Sequence, residues 1–401
     1  MVNWQKWLAG ALVITLVACT TFAAGFGVGR FVTPGYQRVS NTATDDQQKQ
    51  FGLFWEAWNL IQDEFYTEKP LDSKEMTYGA IRGMVESLGD AHSMFLTPQQ
   101  KAMFNEDLQG EFGGIGVTIR MTAEGQLMAV KILPNSPAET SGLQGGDLIL
   151  EVDGKPIQGM DTAQAISLIR GPKGTQVLLR IQRGQPPSFE VTLTRAMVSV
   201  PTVESRMLEN GIAYLSLSEF NARATAEVRS ALDQLLKSKP LGLIFDLRGN
   251  PGGYLHVAAE IASEFLADGL VVIERSSDGQ ETRHQAQRGG RATQIPLVVL
   301  VDQGSASASE IVAGAIQDRE RGMLIGEQTF GKGSVQITEQ LSDGSGLQIT
   351  IRRWHTPNDH QIDGKGLTPD IKVELTEDDL KAQRDPQLAK AVEYLLSQTK
   401  P

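Results

Sequence analysis

Leu297-Val298-Val299-Leu300-Val301 runs straight into Asp302-Gln303-Gly304-Ser305-Ala306-Ser307-Ala308-Ser309-Glu310, and this stretch decides the fold. The unbroken apolar run, rich in valine, predicts a strand buried on both faces. Glycine and serine then break it, and Ile311, Val312, Ala315 and Ile316 recur with the spacing of one helical face. Strand, turn and helix together are the unit of an open α/β sheet, whose active loops lie at the carboxyl ends of the strands. Ser307 stands at the mouth of the helix. With Glu310 three residues on, it also fits a capping box, which needs no chemistry.

The same unit recurs upstream. Ile212–Leu217 reads as a strand and Thr225–Lys237 as a helix with Val228, Leu232 and Leu235 inward. Leu241–Leu247 is a buried strand ending in Arg248-Gly249-Asn250-Pro251-Gly252-Gly253, and Leu255–Leu266 is the next helix. A Gly-Gly turn before a helix presents free N–H groups, which an oxyanion hole requires, and the N–H of Ala308 is the second candidate donor. Downstream, Lys332 lies in Thr329-Phe330-Gly331-Lys332-Gly333, with Gln336 beyond it. A serine hydroxyl is a poor nucleophile until a base takes its proton. A lysine serves as that base when burial or neighbours lower its pKa, so Ser307 and Lys332 propose attack on carbonyls without histidine. A solvated lysine in a glycine turn is the plain alternative for Lys332.

Residues 101–197 have a different texture, with short strands at Val117–Arg120, Leu127–Ile132, Leu148–Val152, Gln176–Arg183 and Phe189–Thr194 and a helix at Thr162–Ile169. Asp153-Gly154 is a hairpin signal. The order of strands and helices resembles a PDZ domain. That resemblance implies that the turn Gly113-Gly114-Ile115-Gly116-Val117 holds a peptide's terminal carboxylate on backbone N–H groups, with the adjoining strand open to β-augmentation. Arg170, beside the Gly171-Pro172 break, is a candidate for coupling this domain to the rest.

The composition excludes several classes. The chain has 401 residues, 40 % apolar and 21 % charged, and its net charge of −11 carries no basic stretch suited to nucleic acid. Five histidines are scattered without metal-ligand spacing, and Cys19 is the only cysteine, so no intrachain disulfide forms. No metal or cofactor is expected. The uncharged stretch Trp7–Gly29 would reach about 34 Å as a helix, enough to span a bilayer core. Residues 1–30 are read as an anchor, with a lipoprotein signal (Leu16-Val17-Ala18-Cys19 resembles a bacterial lipobox) and a cleaved signal as the alternatives. Each places the body outside the cytoplasm. Residues 31–50 are read as a linker. Residues 51–100 are expected to be helical, with the Phe54, Trp55, Trp58, Ile61, Phe65 stripe and the Met76, Ala80, Met84, Leu88 stripe in the core. Residues 376–401 close the chain with a helix from Gln387.

The blocks Gly304–Ile311, Thr329–Gly333 with Val335-Gln336, Leu247–Gly253 and Gly364–Asp370 together resemble the C-terminal processing peptidases, also called tail-specific proteases, of family S41. The resemblance spans residues 51–375. Ala91 stands where that family often has proline, and His355 where an aromatic is more usual. It implies an α/β multidomain protein with the PDZ domain set before an open α/β core of the ClpP/crotonase type at residues 198–375. It implies a serine endopeptidase with Ser307 as nucleophile, Lys332 as base and Gln336 orienting the lysine. Ala308 and one of Gly252 or Gly253 would form the oxyanion hole. Ser305 and Ser309 are rivals, but the family's spacing to the lysine selects Ser307. The substrates implied are polypeptides with exposed C-terminal tails, and a homodimer and a regulatory adaptor are further candidate partners. The competing readings are a PDZ scaffold without activity and a Ser-His hydrolase using His355 or His360.

Overall fold

The computed structural model describes residues 44–122 and 124–398. The anchor, lipobox and most of the linker reading fall outside these residues. Among the described residues no helix is long and apolar enough to cross a membrane. Residues through Met76 form one compact unit and residues from Thr77 a second.

The first unit is dominated by the helix Asp45–Glu64, capped by the Thr44 hydroxyl and the Gln47 side chain. The polar end of the expected linker is therefore the first turn of a helix: two aspartates suit its positive end. The aromatic stripe is not core, because no residue of this helix is buried. Phe51 and Trp55 stay more than half exposed, at 55 % and 54 %. The rings pack on each other instead, Phe54 lying 5.2 Å from Trp55 and 5.8 Å from Trp58. In the helix Ser73–Glu86 the buried residues are Tyr78 and Val85, not the expected methionine stripe. Tyr78 sets that face by stacking on Phe95 and donating to Asp343 at 2.7 Å.

The PDZ region is a sheet of strands in the order Val117–Met121, Leu127–Ile132, Leu148–Val152, Gln176–Gln182, Phe189–Thr194. Its core gathers Leu127, Ile149, Val177, Leu179 and Ile181 from the strands and Ala165 and Ile169 from the helix Thr162–Ile169. Val117–Met121 lies at the sheet edge. The chain enters and leaves this region side by side, because Glu111–Gly114 pairs antiparallel with Ala196–Ser199.

The body rests on a six-stranded sheet ordered Val203–Met207, Ala213–Leu217, Leu243–Asp246, Leu297–Val301, Met323–Gly326, Ile371–Lys372. All its pairings except the first are parallel. Both faces are covered, which is why its central strands read as unbroken apolar runs. Leu215, Phe245, Val299 and Val301 pack toward the helices Ala224–Leu235, Leu255–Phe265 and Ala308–Asp318. Their neighbours Tyr214, Ile244, Val298 and Leu300 pack toward Ala391 and Leu395 of the C-terminal helix Pro386–Gln398. A second, antiparallel sheet joins Met94–Leu96, Gly346–His355, Leu270–Ser276, Glu281–Gln285 and Ser334–Gln340.

Candidate active site

Three adjacent parallel strands, Leu243–Asp246, Leu297–Val301 and Met323–Gly326, release their following turns at one edge of the sheet. That topology brings the Gly-Gly turn, the serine turn and the lysine loop together. They line one cavity of about 440 Å³ with Ser307, Lys332, Gln336, Gly252 and Gly253 on its wall. Phe104, Leu108, Leu255, Ile311 and Trp354 supply apolar surface.

The three serines of the turn have separate fates. Ser305 is buried and donates to the Leu247 carbonyl at 2.8 Å, and Ser309 is buried and donates to the Asn250 carbonyl at 2.8 Å. These two bonds staple the serine turn to the Gly-Gly turn, so both hydroxyls are structural. Ser307 is half-buried on the cavity wall and has φ 54° and ψ −112°. That is the left-handed region for a residue with a Cβ, a strain that persists only where the surroundings hold it.

Gly252 and Gly253 have φ of 106° and 143°. A Cβ on Gly252 would stand 2.8 Å from the Ser307 Cβ, and one on Gly253 would stand 2.3 Å from the Phe220 carbonyl oxygen. Only glycine lets this backbone approach the serine so closely. The Gly252 N–H is already spent on the Asn250 side-chain oxygen at 2.9 Å, and Asn250 is fixed in turn by donating to the Leu217 carbonyl. Among the described residues the N–H groups of Gly253 and Ala308 have no acceptor. Arg248 anchors the start of the turn, donating to Asp246 at 2.6 Å and to Asp385 and Gln387 at 2.9 Å.

Glu310 is more than a helix cap. Its fully buried carboxylate accepts from the Ser307 N–H at 2.8 Å, the Lys332 N–H at 2.9 Å, the Gly331 N–H at 2.7 Å and the Thr329 hydroxyl at 2.5 Å. One side chain thereby fixes the serine turn and the lysine loop to each other. Burial raises its carboxyl above the ordinary glutamate value, against the opposing pull of these donors. The lysine loop is held from the other side too. The Trp354 indole donates to the Lys332 carbonyl at 3.0 Å, and Asp363 accepts from the Gly333 N–H at 3.0 Å.

Lys332 is half-buried, and its side chain has no hydrogen bond or ion pair among the described residues. Burial pushes its pKa below the ordinary lysine value, while the carboxylate of Asp90 pulls the other way. The expected Gln336–Lys332 hydrogen bond is not present. The Gln336 amide nitrogen donates to Ser334 at 2.8 Å and to Thr350 at 3.1 Å, which leaves its oxygen as the end able to accept from lysine. Gln348, two residues from Thr350 on the same strand, also lines the cavity, and its buried side-chain oxygen has no partner.

In the PDZ region, Gly114, Ile115, Gly116 and Val117 line a groove of about 220 Å³ together with Ile166, Ile169 and Arg170. Gly113 does not join them. It is locked in the strand Glu111–Gly114, its N–H donating to Glu106 and its carbonyl accepting from the Gly171 N–H. Arg170 also pairs at 2.6 Å with Asp107, the neighbour of Leu108 on the wall of the serine–lysine cavity, while its guanidinium lies 4.1 Å from the Phe112 ring centroid. The histidines of the rival hydrolase reading are engaged elsewhere: His355 with Asp359 at 3.0 Å and His360 with Asp318 at 3.5 Å, neither on the cavity wall.

The peptidase family S41 model matches residues 211–373, a PDZ-domain model residues 129–183, and a model of the N-terminal domain of the activating protease CtpB residues 32–99. The carboxyl-terminal-processing protease of Synechocystis is 40 % identical over 323 residues, covering 79 % of this chain and 75 % of that one. The chain belongs to the carboxyl-terminal processing peptidases of family S41. It is therefore a serine-type peptidase. A second relative, the carboxy-terminal processing protease CtpA of Bacillus subtilis, is 32 % identical over 365 residues, covering 91 % of this chain and 78 % of that one. Among solved structures, the photosystem II D1 C-terminal processing protease superposes with a TM-score of 0.51 at 30 % identity, covering 83 % of this chain and 94 % of that one.

Proposed function

We propose that this peptidase uses a Ser307–Lys332 dyad to cleave polypeptides near C-terminal tails that its PDZ domain captures. The observation that carries the reading is the cavity whose wall holds a strained, half-buried serine, a desolvated lysine and the unspent N–H of Gly253, with the unspent N–H of Ala308 next in the chain to the serine. Neutral Lys332 takes the Ser307 proton as the hydroxyl oxygen attacks the scissile carbonyl carbon. The tetrahedral oxyanion is met by the N–H groups of Gly253 and Ala308, while Gly252 serves by letting the backbone close in. The Lys332 ammonium, held by the Gln336 oxygen, gives its proton to the leaving amine. Water, deprotonated by the same lysine, then releases the acyl group from Ser307. The unpartnered Gln348 oxygen offers an acceptor for a bound main-chain N–H.

A tail adds as a strand to the Val117–Met121 edge, its carboxylate on the turn N–H groups about Ile115 and Gly116 and its last side chain between Ile166 and Ile169. Arg170 couples docking to the body through Asp107. We also place the body outside the cytoplasm, held by the apolar stretch 7–29, and leave homodimerisation and an adaptor as partners to be sought.

The test is cleavage of an unfolded protein with an apolar C-terminal tail by the full-length chain, followed by intact mass. Cleavage lost in Ser307→Ala and in Lys332→Ala supports the dyad. Cleavage that survives either substitution overturns it. Tail binding without cleavage by the wild type would favour a scaffold.

A further inference from the structure

We infer that Asp90, in the turn before the strand Met94–Leu96, is a positioning residue that holds Gln336, on the wall that Lys332 shares, through Ser93 and Thr350. The inference rests on Lys332 being the general base. Asp90 accepts the Ser93 hydroxyl at 2.6 Å and the His92 N–H at 3.3 Å. The Ser93 oxygen in turn accepts the Thr350 N–H at 3.1 Å. Thr350 then accepts from the Gln336 amide at 3.1 Å. A route of contacts therefore runs from the wall of the catalytic cavity to one carboxylate: Gln336 is held by the Thr350 hydroxyl, the Thr350 N–H by Ser93, and Ser93 by Asp90.

The backbone supports the same route. Met94–Leu96 pairs with Gly346–Gln348, and the strand Gly346–His355 also pairs with the strand that carries Gln336. The turn is thus fastened to the hairpin that bears the lysine's partner. A residue far upstream in sequence reaches the site because this short strand carries it onto the second sheet.

Asp90 is ionised. Burial pushes its carboxyl up, but the Ser93 and Thr350 hydroxyls and the His92 N–H outweigh burial and hold it below the ordinary aspartate value. Its charge stabilises the Lys332 ammonium without touching it. Desolvation alone lowers the basicity of Lys332. A nearby carboxylate restores basicity while leaving the amine able to lose its proton. The other titratable groups around the lysine loop are Glu310 beneath it, Asp363 with Arg353 behind Gly333, Glu219 and Tyr254 on the cavity wall, and His92 beside Asp90. These residues are all retained in an Asp90 variant, and His92 is the one among them whose charge faces Asp90 directly.

The experiment is the pH dependence of kcat/KM on a tailed peptide for the wild type, Asp90→Asn, Thr350→Val and Thr350→Ser. Asp90→Asn should move the acid limb to lower pH, so that the fraction of plateau activity kept one unit below the wild-type limb rises at least about twofold. Thr350→Val should lower plateau kcat about tenfold or more with KM little changed, and Thr350→Ser should restore it. An Asp90→Asn limb that coincides with the wild type, or one displaced to higher pH, overturns the inference. So does Thr350→Ser failing to rescue. If Lys332→Ala keeps activity, the base assignment fails instead, and the two failures are distinct.

Discussion

Replacing Glu310 by Gln exchanges one carboxylate oxygen for an NH2 group in a site whose four partners are all donors. Each oxygen serves two of them: one takes Thr329 and Gly331, the other Ser307 and Lys332. The amide keeps one oxygen, so two donors lose their acceptor and face another donor. Hydrogen bonds to a charged acceptor contribute about 1.5–3 kcal/mol each, which gives about 3–6 kcal/mol for the pair. Removing a buried charge returns part of this, since burial disfavours the ionised carboxyl, and a net loss of about 2–4 kcal/mol is expected. Whichever oxygen is exchanged, the lysine loop loses at least one of its bonds to the residue that also caps the serine turn, so the loss falls on the alignment of the two. If it appears in the transition state, kcat falls by about 30- to 1000-fold. Steady-state cleavage of a tailed peptide, with a thermal melt on the same sample, reads both quantities. A kcat within about threefold of wild type, with an unchanged melt, would refute the idea that Glu310 joins the two turns.

Three further outcomes follow from the geometry. Arg170→Ala removes the pair with Asp107 and the stack on Phe112, and it should abolish stimulation by a C-terminal tail peptide while basal cleavage survives; equal loss of both would remove the coupling role. Asp385→Ala takes a carboxylate from Arg248 at the root of the Gly-Gly turn and should destabilise the body by about 1–3 kcal/mol with a larger fractional loss in kcat than in 1/KM; a pure KM effect would contradict it. Asp147 in the PDZ region is buried, which raises its carboxyl, but Arg183 and the Gln144 N–H outweigh burial and hold it below 3.8. Its stabilising contribution is therefore present above the unfolded value and lost as pH falls through the lower folded one, so wild type should lose more stability than Asp147→Asn in acid melts below about pH 4.

The parallel sheet was legible because both its faces are covered, which leaves strands such as Leu297–Val301 with no polar residue to interrupt the run. The hairpin at Asp153-Gly154 was legible because its turn demands left-handed backbone, observed at φ 49° and 73°. Other features depend on partners distant in the chain. Periodicity gave Phe51–Phe65 an apolar stripe but not a covering surface, and the rings pack edge-to-face on one another instead. Local pattern made Glu310 a helix cap; its bonds to Thr329 and Gly331 exist only because the next parallel strand delivers that loop alongside. Gly113 looked like part of an anion cradle by adjacency, yet strand pairing with Met197 takes it out of the groove. Gly252 and Gly253 were equivalent in sequence, and only the Asn250 side chain distinguishes their N–H groups.

The most direct test of the account is peptide-mapped labelling of the full-length chain by a serine-directed fluorophosphonate, with its rate followed against pH in wild type and Lys332→Ala. The account predicts a single adduct on Ser307, a rate that rises through a limb below the ordinary lysine value of 10.5, and loss of that limb with the lysine. An adduct on Ser305 or Ser309, or a wild-type pH profile retained in Lys332→Ala, would contradict it.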